Sequence, residues 1–396
     1  MIPYVILFMI IIVNSIVIEK CFKKNNIKLA KFMAFISMVE ISIIAGFRNN
    51  NVGRDIDVYV YPLFKSCLTN NFYTLIKDPN IEPLFLIILF MNTKLLGDYH
   101  LTLFIIELIT VFSIYFYGFK NYKNVNFTIL ISVFLFVFFN NTLVMMRQFV
   151  SVSLIFISTQ FFKEKKYIKT ILLFFLAVAF HDTAIISIII YIYYFVEYRS
   201  SFSSNKLLRV KIYTLIIAMF LVLFGDKLVY YFSFNIPILP ERFFGYFTSR
   251  YIEEGLHFSI VNFTFKMLVL IMAIIINNKK KSHQSNLALS FILIDILIYL
   301  LSMRIEPILR LGYYFTIISY SFVIPSFGKI MVNNRKYKPF FYYSLTIVLF
   351  LYWWYIFIHS NGITYPYSSN ILKNFINNVV WCNLQRIIRR MKWRKL

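Results

Sequence analysis

A polar stretch between residues 46 and 59 interrupts a chain that is otherwise rich in hydrocarbon side chains. The residues in it that could take part in a reaction or shape a site are two arginines, a glycine and two aspartates, namely Arg48, Gly53, Arg54, Asp55 and Asp57. Charged groups are costly to bury in a membrane, so such a cluster marks a candidate site of catalysis or transport. Gly53 permits a sharp turn that can present Arg54 and Asp55 inward. The alternative is a solvated connector whose charges keep it in water.

A histidine stands at the end of another apolar run, where His181 is followed by Asp182. Imidazole has an unperturbed pKa of about 6.5, close to the pH at which a general base must work. His181 is therefore a candidate catalytic base, and Asp55 is a second candidate. Adjacent residues on a helix point in different directions, so Asp182 is a doubtful partner for the ring. The alternative is a histidine that forms a hydrogen bond at a helix end.

Arg147 directly precedes the apolar run 148–162. The N-terminus of a helix attracts anions, and a guanidinium group binds phosphate oxygens in a bidentate manner. Arg147 is thus a candidate for binding a phosphate group. The alternative is that its side chain only reaches the lipid headgroups.

The segment 304–315 supplies two further arginines and a pair of tyrosines. Arg310, Tyr313 and Tyr314 fall within one helical turn, so they can converge on one ligand. Arg304 adds another guanidinium, although its pairing with Glu306 can be a simple interfacial ion pair worth about 0–1 kcal/mol.

The composition identifies the environment in which these residues work. The chain has 396 residues, of which 60% are hydrophobic, 20% are aromatic and only 15% are charged. A soluble protein cannot expose so much apolar surface, so we predict an all-α, polytopic membrane protein. The net charge of +24 would suggest a nucleic-acid partner in a soluble chain. Here the basic residues fall in short loops between apolar runs, which is the charge pattern of membrane topology, and no nucleic-acid partner is expected.

The apolar runs define the predicted membrane spans, because about 30 Å of hydrocarbon must be crossed. They cover residues 3–19, 28–46, 81–97, 101–119, 125–142, 148–162, 167–181, 183–198, 212–225, 258–277, 285–303, 309–327 and 340–358. Loops around residues 24, 122, 165, 205, 280 and 335 are basic and are predicted to be cytoplasmic, which places the N-terminus outside.

The stretch between the outer loop 47–80 and the inner loop 120–124 breaks this alternation, because it contains two apolar runs. The segment that begins at Glu82-Pro83, or its neighbour, is therefore predicted to be a re-entrant or half-span element. About 12 to 13 spans result. They form one domain over residues 1–369, with outer loops at 47–80 and 226–257. Residues 370–396 are predicted to form a basic, amphipathic interfacial tail.

Taken in chain order, these elements resemble the EpsG family, which are Wzy-like polymerases of bacterial surface polysaccharides. The resemblance rests on Arg48…Gly53-x-Asp55…Tyr59, Glu82-Pro83, Arg147-Gln148, His181, Arg310…Tyr314-Phe315 and Tyr365-Pro366-Tyr367. The chain departs from the family at Arg54, where a small polar residue is usual. No paired cysteines or His-x-x-x-His spacing occur, and the i,i+2 pair Asp55 and Asp57 is weak evidence for a cation, so a site without metal or cofactor is expected.

The resemblance implies a GT-C-like fold in the bacterial cytoplasmic membrane, with its active-site cavity on the outer face. The implied substrates are oligosaccharide repeat units on a polyprenyl (undecaprenyl) pyrophosphate carrier, with a flippase and a chain-length regulator as candidate protein partners besides membrane lipids. The predicted bases are His181 and Asp55. The residues predicted to bind the pyrophosphate and substrate are Arg48, Arg54, Arg147, Arg304, Arg310 and Tyr314.

Two other classes of function remain open from the sequence. A flippase or transporter of lipid-linked sugars predicts charges deep within spans and repeat-related halves. Candidates for such charges are Glu40, Glu107, Lys266 and Asp295. An O-antigen ligase-type transferase, or an acyltransferase, could use the same arginine and histidine chemistry.

Overall fold

The computed structural model describes residues 2–198, 258–303, 306–331, 338–359 and 364–373. Within these ranges the chain is helical and contains no strand. Eight of the described helical segments are long and apolar enough to cross a membrane, and one of them is the continuous run Phe127–Val144. The prediction of a polytopic helical membrane protein is therefore confirmed. The predicted span 212–225, the loop 226–257, Arg304 and most of the basic tail lie outside the described residues.

The helices reproduce the predicted apolar runs closely. In the first half they are α1 (Ile2–Lys23), α2 (Ile27–Gly46), α3 (Tyr61–Thr69), α4 (Phe72–Leu75), α5 (Pro83–Leu96), α6 (His100–Asn121), α7 (Phe127–Val133) and α8 (Phe139–Val144). They continue with α9 (Met146–Lys163), α10 (Tyr167–Phe180), α11 (Ile188–Tyr198), α12 (Ile260–Lys279), α13 (His283–Ser302), α14 (Tyr313–Met331) and α15 (Lys338–His359). π-helical turns at Ile56–Val60 and Phe134–Phe138 lead into α3 and α8, and 3₁₀ turns at Asp182–Ser187 and Glu306–Gly312 lead into α11 and α14.

The long helices alternate in direction, so their ends collect at two faces of the bundle. We call the end at which α2 stops and α9 begins the Gly46 face, and the end at which α1 stops the Lys23 face. At the Gly46 face, the loop after α2 is tied to the end of α8 and to the segment after α15, through Arg48 Nη2 to Leu143 O (3.0 Å) and Asn49 N to Ser368 O (2.9 Å). At the Lys23 face, an ion pair between Lys120 and Glu164 joins the ends of α6 and α9.

Helix α5 does not carry the chain from one face to the other. Glu82, just before it, contacts Arg147 at the start of α9. His100, just after it, stacks on Phe47 beyond the end of α2, with ring centroids 6.2 Å apart. The helix has 14 residues, so it spans about 21 Å and is shorter than the hydrocarbon core. This is the geometry expected of the half-span element, and it assigns that role to α5, because α6 has full length.

The centre of the bundle is formed by α7, α8 and α9. In the segment Phe127–Val144, 78% of the residues are buried. In Ile260–Lys279 and Phe340–His359 only 22% are buried, and these helices present apolar side chains outward. Helix α9 carries buried serines and glutamines, which are tolerated because protein surrounds them. Ser151 Oγ, for example, donates to Ala177 O of α10 over 2.8 Å.

Small residues set the close approach of α2 and α6 at the Gly46 face. A Cβ atom at Gly46 would lie 2.7 Å from the Phe104 Cβ atom, so only glycine lets the two helices pack at this distance. The loop that follows Gly46 is therefore held near the start of α6.

Candidate functional site

The candidate site is a cluster of charged side chains at the Gly46 face, centred on Arg147. Its Nη1 atom donates to both oxygens of Glu82, over 2.8 and 2.7 Å. Its Nε and Nη2 atoms donate to the two oxygens of Asp55, over 3.3 and 3.1 Å. One guanidinium group is thus held by two carboxylates from segments 27 residues apart. The side chain of Glu82 is only 2% exposed, so these contacts are shielded from solvent.

Tyr59 completes the environment of the arginine. The Arg147 guanidinium carbon lies 3.4 Å from the centre of the Tyr59 ring, a cation–π contact. The Tyr59 hydroxyl donates to Glu82 Oε2 over 2.6 Å. Asp55 directly precedes the π-helical turn Ile56–Val60 and Tyr59 lies within it, and π-helical turns are frequent at functional sites. The turn presents both residues to the same partner.

His181 lies beside this group, where α10 ends in an extended residue (φ −164°, ψ 124°). Its Nδ1 atom is buried without a hydrogen-bond partner and stands 3.6 Å from Glu82 Oε1. Burial lowers the pKa of His181 to about 4, and the positive charges of Arg147 and Arg310 act in the same direction. The Glu82 and Asp55 carboxylates oppose this effect. The ring is therefore neutral at physiological pH, the state that a general base requires. We call Asp55, Tyr59, Glu82, Arg147 and His181 the carboxylate cluster.

The local sequence explains how Glu82 reaches the cluster. Glu82 has extended backbone (φ −68°, ψ 125°) and is followed by Pro83 at the first position of α5. Proline disfavours a helical residue before it and lacks the N–H that would be unpaired there. The chain therefore turns at Glu82 and directs the carboxylate toward α9. Glu82 was not among the predicted site residues, although the Glu82-Pro83 pair was part of the family resemblance and was the available signal.

Arg48, predicted to bind the pyrophosphate, is engaged with the backbone in this structure. Its side chain is 1% exposed and donates to three backbone carbonyls, Val52 O over 2.9 Å, Leu143 O over 3.0 Å, and Ala45 O. The buried carboxylate of Glu107 is its main stabilising charge. All three guanidinium nitrogens are occupied, so the contacts favour a structural role in the 48–53 loop over pyrophosphate binding.

Gly53 closes the same loop. It has φ of +100°, and a Cβ atom there would lie 2.5 Å from Leu143 O. The sequence predicted a sharp turn at this glycine, and the structure shows that the turn also requires close contact with the end of α8.

Tyr314 also differs from its predicted role in substrate binding. The side chain is fully buried, and its hydroxyl shares hydrogen bonds with Ser151 (3.0 Å) and Thr183 (3.1 Å). It therefore joins α14 to α9 and to the turn that follows His181. We infer that Tyr314 positions His181 indirectly, because Thr183 lies two residues after the histidine.

Arg310 and Arg54 are the free cations near the cluster. Both are exposed, and neither side chain forms an ion pair with a residue that the structure describes. The backbone carbonyl of Arg310 accepts a hydrogen bond from Gln148 Nε2 over 2.8 Å, which places the segment beside the start of α9. The Oε1 atom of Gln148 is buried and has no hydrogen-bond partner. Asp57 is exposed and forms no ion pair with the residues of the carboxylate cluster.

The charges of the cluster suit binding of an anion at its edge and not at its centre. Arg147 is already paired with Asp55 and Glu82, and four of its five N–H groups donate to them, so at most one is left for a phosphate. The side chains of Arg310 and Arg54 form no ion pair with the described residues, so their guanidinium groups suit an anion. Within the described ranges, no group of three or more histidine, cysteine, aspartate or glutamate side chains is arranged to hold a metal ion.

Neither the curated proteins nor the solved structures contain a match. The EpsG family profile matches residues 31–369, which includes every residue of the carboxylate cluster as well as Arg310. With this match over nearly its whole length, the chain belongs to the EpsG family.

Proposed function

We propose that this protein is a polysaccharide polymerase. It joins oligosaccharide repeat units carried on polyprenyl pyrophosphate, at the outer face of the bacterial cytoplasmic membrane. The proposal rests on membership of the EpsG family and on the partly buried cluster that places a neutral histidine beside a carboxylate, with two arginines at its edge that form no ion pair with the described residues.

The charge distribution supports placing the Gly46 face outside. Lysines dominate the Lys23 face, including Lys20, Lys23, Lys28, Lys31, Lys123, Lys165, Lys279, Lys280 and Lys281. The Gly46 face carries both signs, with carboxylates at Asp55, Asp57, Asp78, Glu82 and Asp98. An excess of basic residues is the mark of cytoplasmic loops, so the carboxylate cluster faces the outside.

In the proposed reaction, a hydroxyl of the acceptor glycan attacks the anomeric carbon of the donor glycan. The new bond joins the acceptor oxygen to this carbon, and the bond from the carbon to the pyrophosphate oxygen breaks. The proton of the hydroxyl passes to His181, and the electron pair of the broken bond leaves with the pyrophosphate. Arg310 and Arg54 bind the pyrophosphate oxygens, where negative charge grows in the transition state.

His181 is a better base than Asp55 in this arrangement. Both oxygens of Asp55 accept hydrogen bonds from Arg147, so neither is left unpaired to take a proton from the acceptor hydroxyl. His181 Nδ1 has no hydrogen-bond partner, and Glu82 stands 3.6 Å away, where it can stabilise the imidazolium that forms. Catalytic hydrogen bonds are often long without substrate and shorten in the complex.

Substrate binding also makes His181 a stronger base. The positive charge of Arg310 lowers the pKa of His181. A bound pyrophosphate would neutralise Arg310 and place negative charge nearby, so the pKa of His181 rises toward the working pH. The base therefore becomes strongest when the donor is in place.

Arg147 has a different part in this proposal from the one expected of it as a phosphate ligand. Its four hydrogen bonds hold Asp55 and Glu82 in fixed positions, and Glu82 in turn faces His181. Arg147 is therefore a positioning residue.

The test measures glycan length in a bacterium that lacks its own copy of this protein. Each variant is expressed in these cells, and polymer is measured per amount of folded protein. His181→Gln should lose long polymer by about 10²–10⁴-fold at normal protein abundance. The matched control is His359→Gln, an exposed histidine at the end of α15 on the same face, whose Nδ1 lies 2.8 Å from Tyr355 O.

The pattern of products separates the rival functions. Loss of long polymer with single repeat units retained supports a polymerase. Loss of both products indicates a flippase, and polymer that remains on its lipid carrier indicates a ligase. Retention of long polymer by His181→Gln would contradict the assignment of the base, and Asp55 would take that role.

A further inference from the structure

The Lys23 face, at the opposite end of the bundle from the carboxylate cluster, carries a second candidate binding site. A cavity of about 1290 Å³ opens there between α1, the start of α7, the junction of α12 with α13, and the facing ends of α14 and α15. A volume of this size accommodates a ligand larger than a simple ion. The inference does not depend on the proposed polymerase reaction.

The rim of the cavity is strongly basic. It includes Lys20, Lys23, Lys123, Lys280 and Lys329. Three of these, Lys20, Lys123 and Lys280, are exposed and form no ion pair with the residues that the structure describes. The five lysines of the rim lie on four different helices or connections, so the fold brings their charges together and no single stretch of sequence does.

Among the described residues the rim has one carboxylate, Glu19, and its oxygens already accept hydrogen bonds from the protein. Glu19 Oε1 accepts a hydrogen bond from Asn126 Nδ2 over 3.0 Å. Its Oε2 accepts from the backbone N–H and hydroxyl of Thr128, over 3.3 and 2.9 Å. Glu19 thus satisfies donors in the first turn of α7. It stands 3.9 Å from Lys23, and Lys20, Lys123 and Lys280 have no ion-pair partner among the residues that the structure describes.

The inner wall of the cavity is apolar. It is lined by Ile12, Ile16, Ile129, Ile276, Phe322 and Ile330. Along α1, the distance from Lys23 back to Ile12 is about 16 Å at the helical rise per residue. The cavity is therefore positively charged at the membrane surface and apolar at the depth of the lipid tails.

We propose that this cavity binds an anionic glycerophospholipid from the leaflet at the Lys23 face. Its phosphate group would lie among Lys20, Lys123 and Lys280, and an acyl chain would lie along the isoleucine wall. Basic pockets between transmembrane helices on the cytoplasmic side suit anionic headgroups. A soluble phosphate would use the rim but leave the apolar wall in water, which is why we assign the site to a lipid.

The test uses the full-length protein purified in detergent and titrated with phosphatidylglycerol, with native mass spectrometry to count bound lipid. Phosphatidylcholine serves as the neutral lipid, and glycerol phosphate serves as the headgroup without acyl chains. Lys20→Gln/Lys280→Gln should bind phosphatidylglycerol roughly tenfold or more weakly than the unchanged protein. Lys28→Gln/Lys31→Gln removes two exposed lysines of the same face outside the cavity and should bind normally.

A second variant tests the apolar wall without changing charge. Ile16→Trp adds bulk inside the cavity and should also reduce bound phosphatidylglycerol. Equal affinity for phosphatidylglycerol and phosphatidylcholine would overturn the proposal, as would an equal loss in the control pair. Binding of glycerol phosphate as tight as that of the lipid would show a site for soluble anions. Preferential retention of a polyprenyl phosphate would also contradict the assignment.

Discussion

The paired carboxylates around Arg147 lead to a prediction that separates a positioning role from direct phosphate binding. Arg147→Ala leaves Asp55 and Glu82 close together without a counter-charge, and the Glu82 side chain is 2% exposed. Removing one partner from a buried ion pair costs about 3–5 kcal/mol. Loss of the cation–π contact with Tyr59 adds about 0.5–2 kcal/mol. We therefore expect a clearly destabilised protein, with an apparent unfolding temperature lower by roughly 5 °C or more.

The loss of stability in Arg147→Ala should depend on pH. Without Arg147, desolvation and mutual repulsion raise the pKa values of the two carboxyl groups in the folded protein. A raised folded pKa favours folding below the unfolded pKa, and this benefit is lost as pH rises through the folded value. The difference in stability between Arg147→Ala and the unchanged protein should therefore be larger at pH 8 than at pH 5.

A compensated variant makes the prediction specific. Arg147→Met combined with Asp55→Asn and Glu82→Gln removes all three charges, so no buried charge remains unpaired. It should regain most of the stability lost in Arg147→Ala but form no long polymer. The assays are thermal unfolding of the detergent-purified protein and polymer length in cells. If Arg147→Ala is as stable as the unchanged protein, or if the compensated variant is no more stable than Arg147→Ala, the positioning role is refuted.

Two further predictions follow from the geometry of the same face. Gly53→Ala should lower the yield of folded protein, because the residue has φ of +100° and its new Cβ atom would lie 2.5 Å from Leu143 O. The control is Gly97→Ala, where φ is +64° and no atom lies within 4 Å of the new Cβ atom, so the substitution should cost only about 1–2 kcal/mol of stability. Thermal unfolding checks both variants, and equal losses of stability would contradict the role of Gly53. The pKa of His181 is lowered to about 4 in the free protein, so polymerisation in liposomes at donor concentrations well below saturation should fall only as pH approaches that value, and a midpoint near 6.5 under that condition would contradict a base of lowered pKa. The same lowered pKa means that folding loses stability as pH falls below about 6.5 toward 4, a loss that His181→Gln should remove.

The helices were predictable because the membrane imposes a strong and local requirement. Each span needs about 20 apolar residues, and this requirement can be read within one stretch of sequence. The predicted runs 28–46 and 340–358 correspond to α2 and α15 within two residues at each end. Helix α9 was also predicted, although its buried polar residues make it less apolar than the helices that face lipid.

The sequence also identified three members of the carboxylate cluster, Asp55, Arg147 and His181. Each stands next to a long apolar run, where a charged or titratable group is conspicuous. Residue type and position relative to a span were sufficient to select them. The family resemblance supplied the substrate class, which no residue pattern in the chain specifies.

Only the tertiary structure decided which charges meet. Arg48 and Arg147 look alike in sequence, yet Arg48 binds backbone carbonyls and Arg147 binds carboxylates 92 and 65 residues away. Glu82 became a candidate site residue only because the structure shows its contact with Arg147. The physical reason is that burial in lipid is a property of a single segment, whereas the partner of a buried charge depends on how separate helices pack. The arrangement of spans therefore follows from the sequence pattern, and the pairing at their ends follows from the fold.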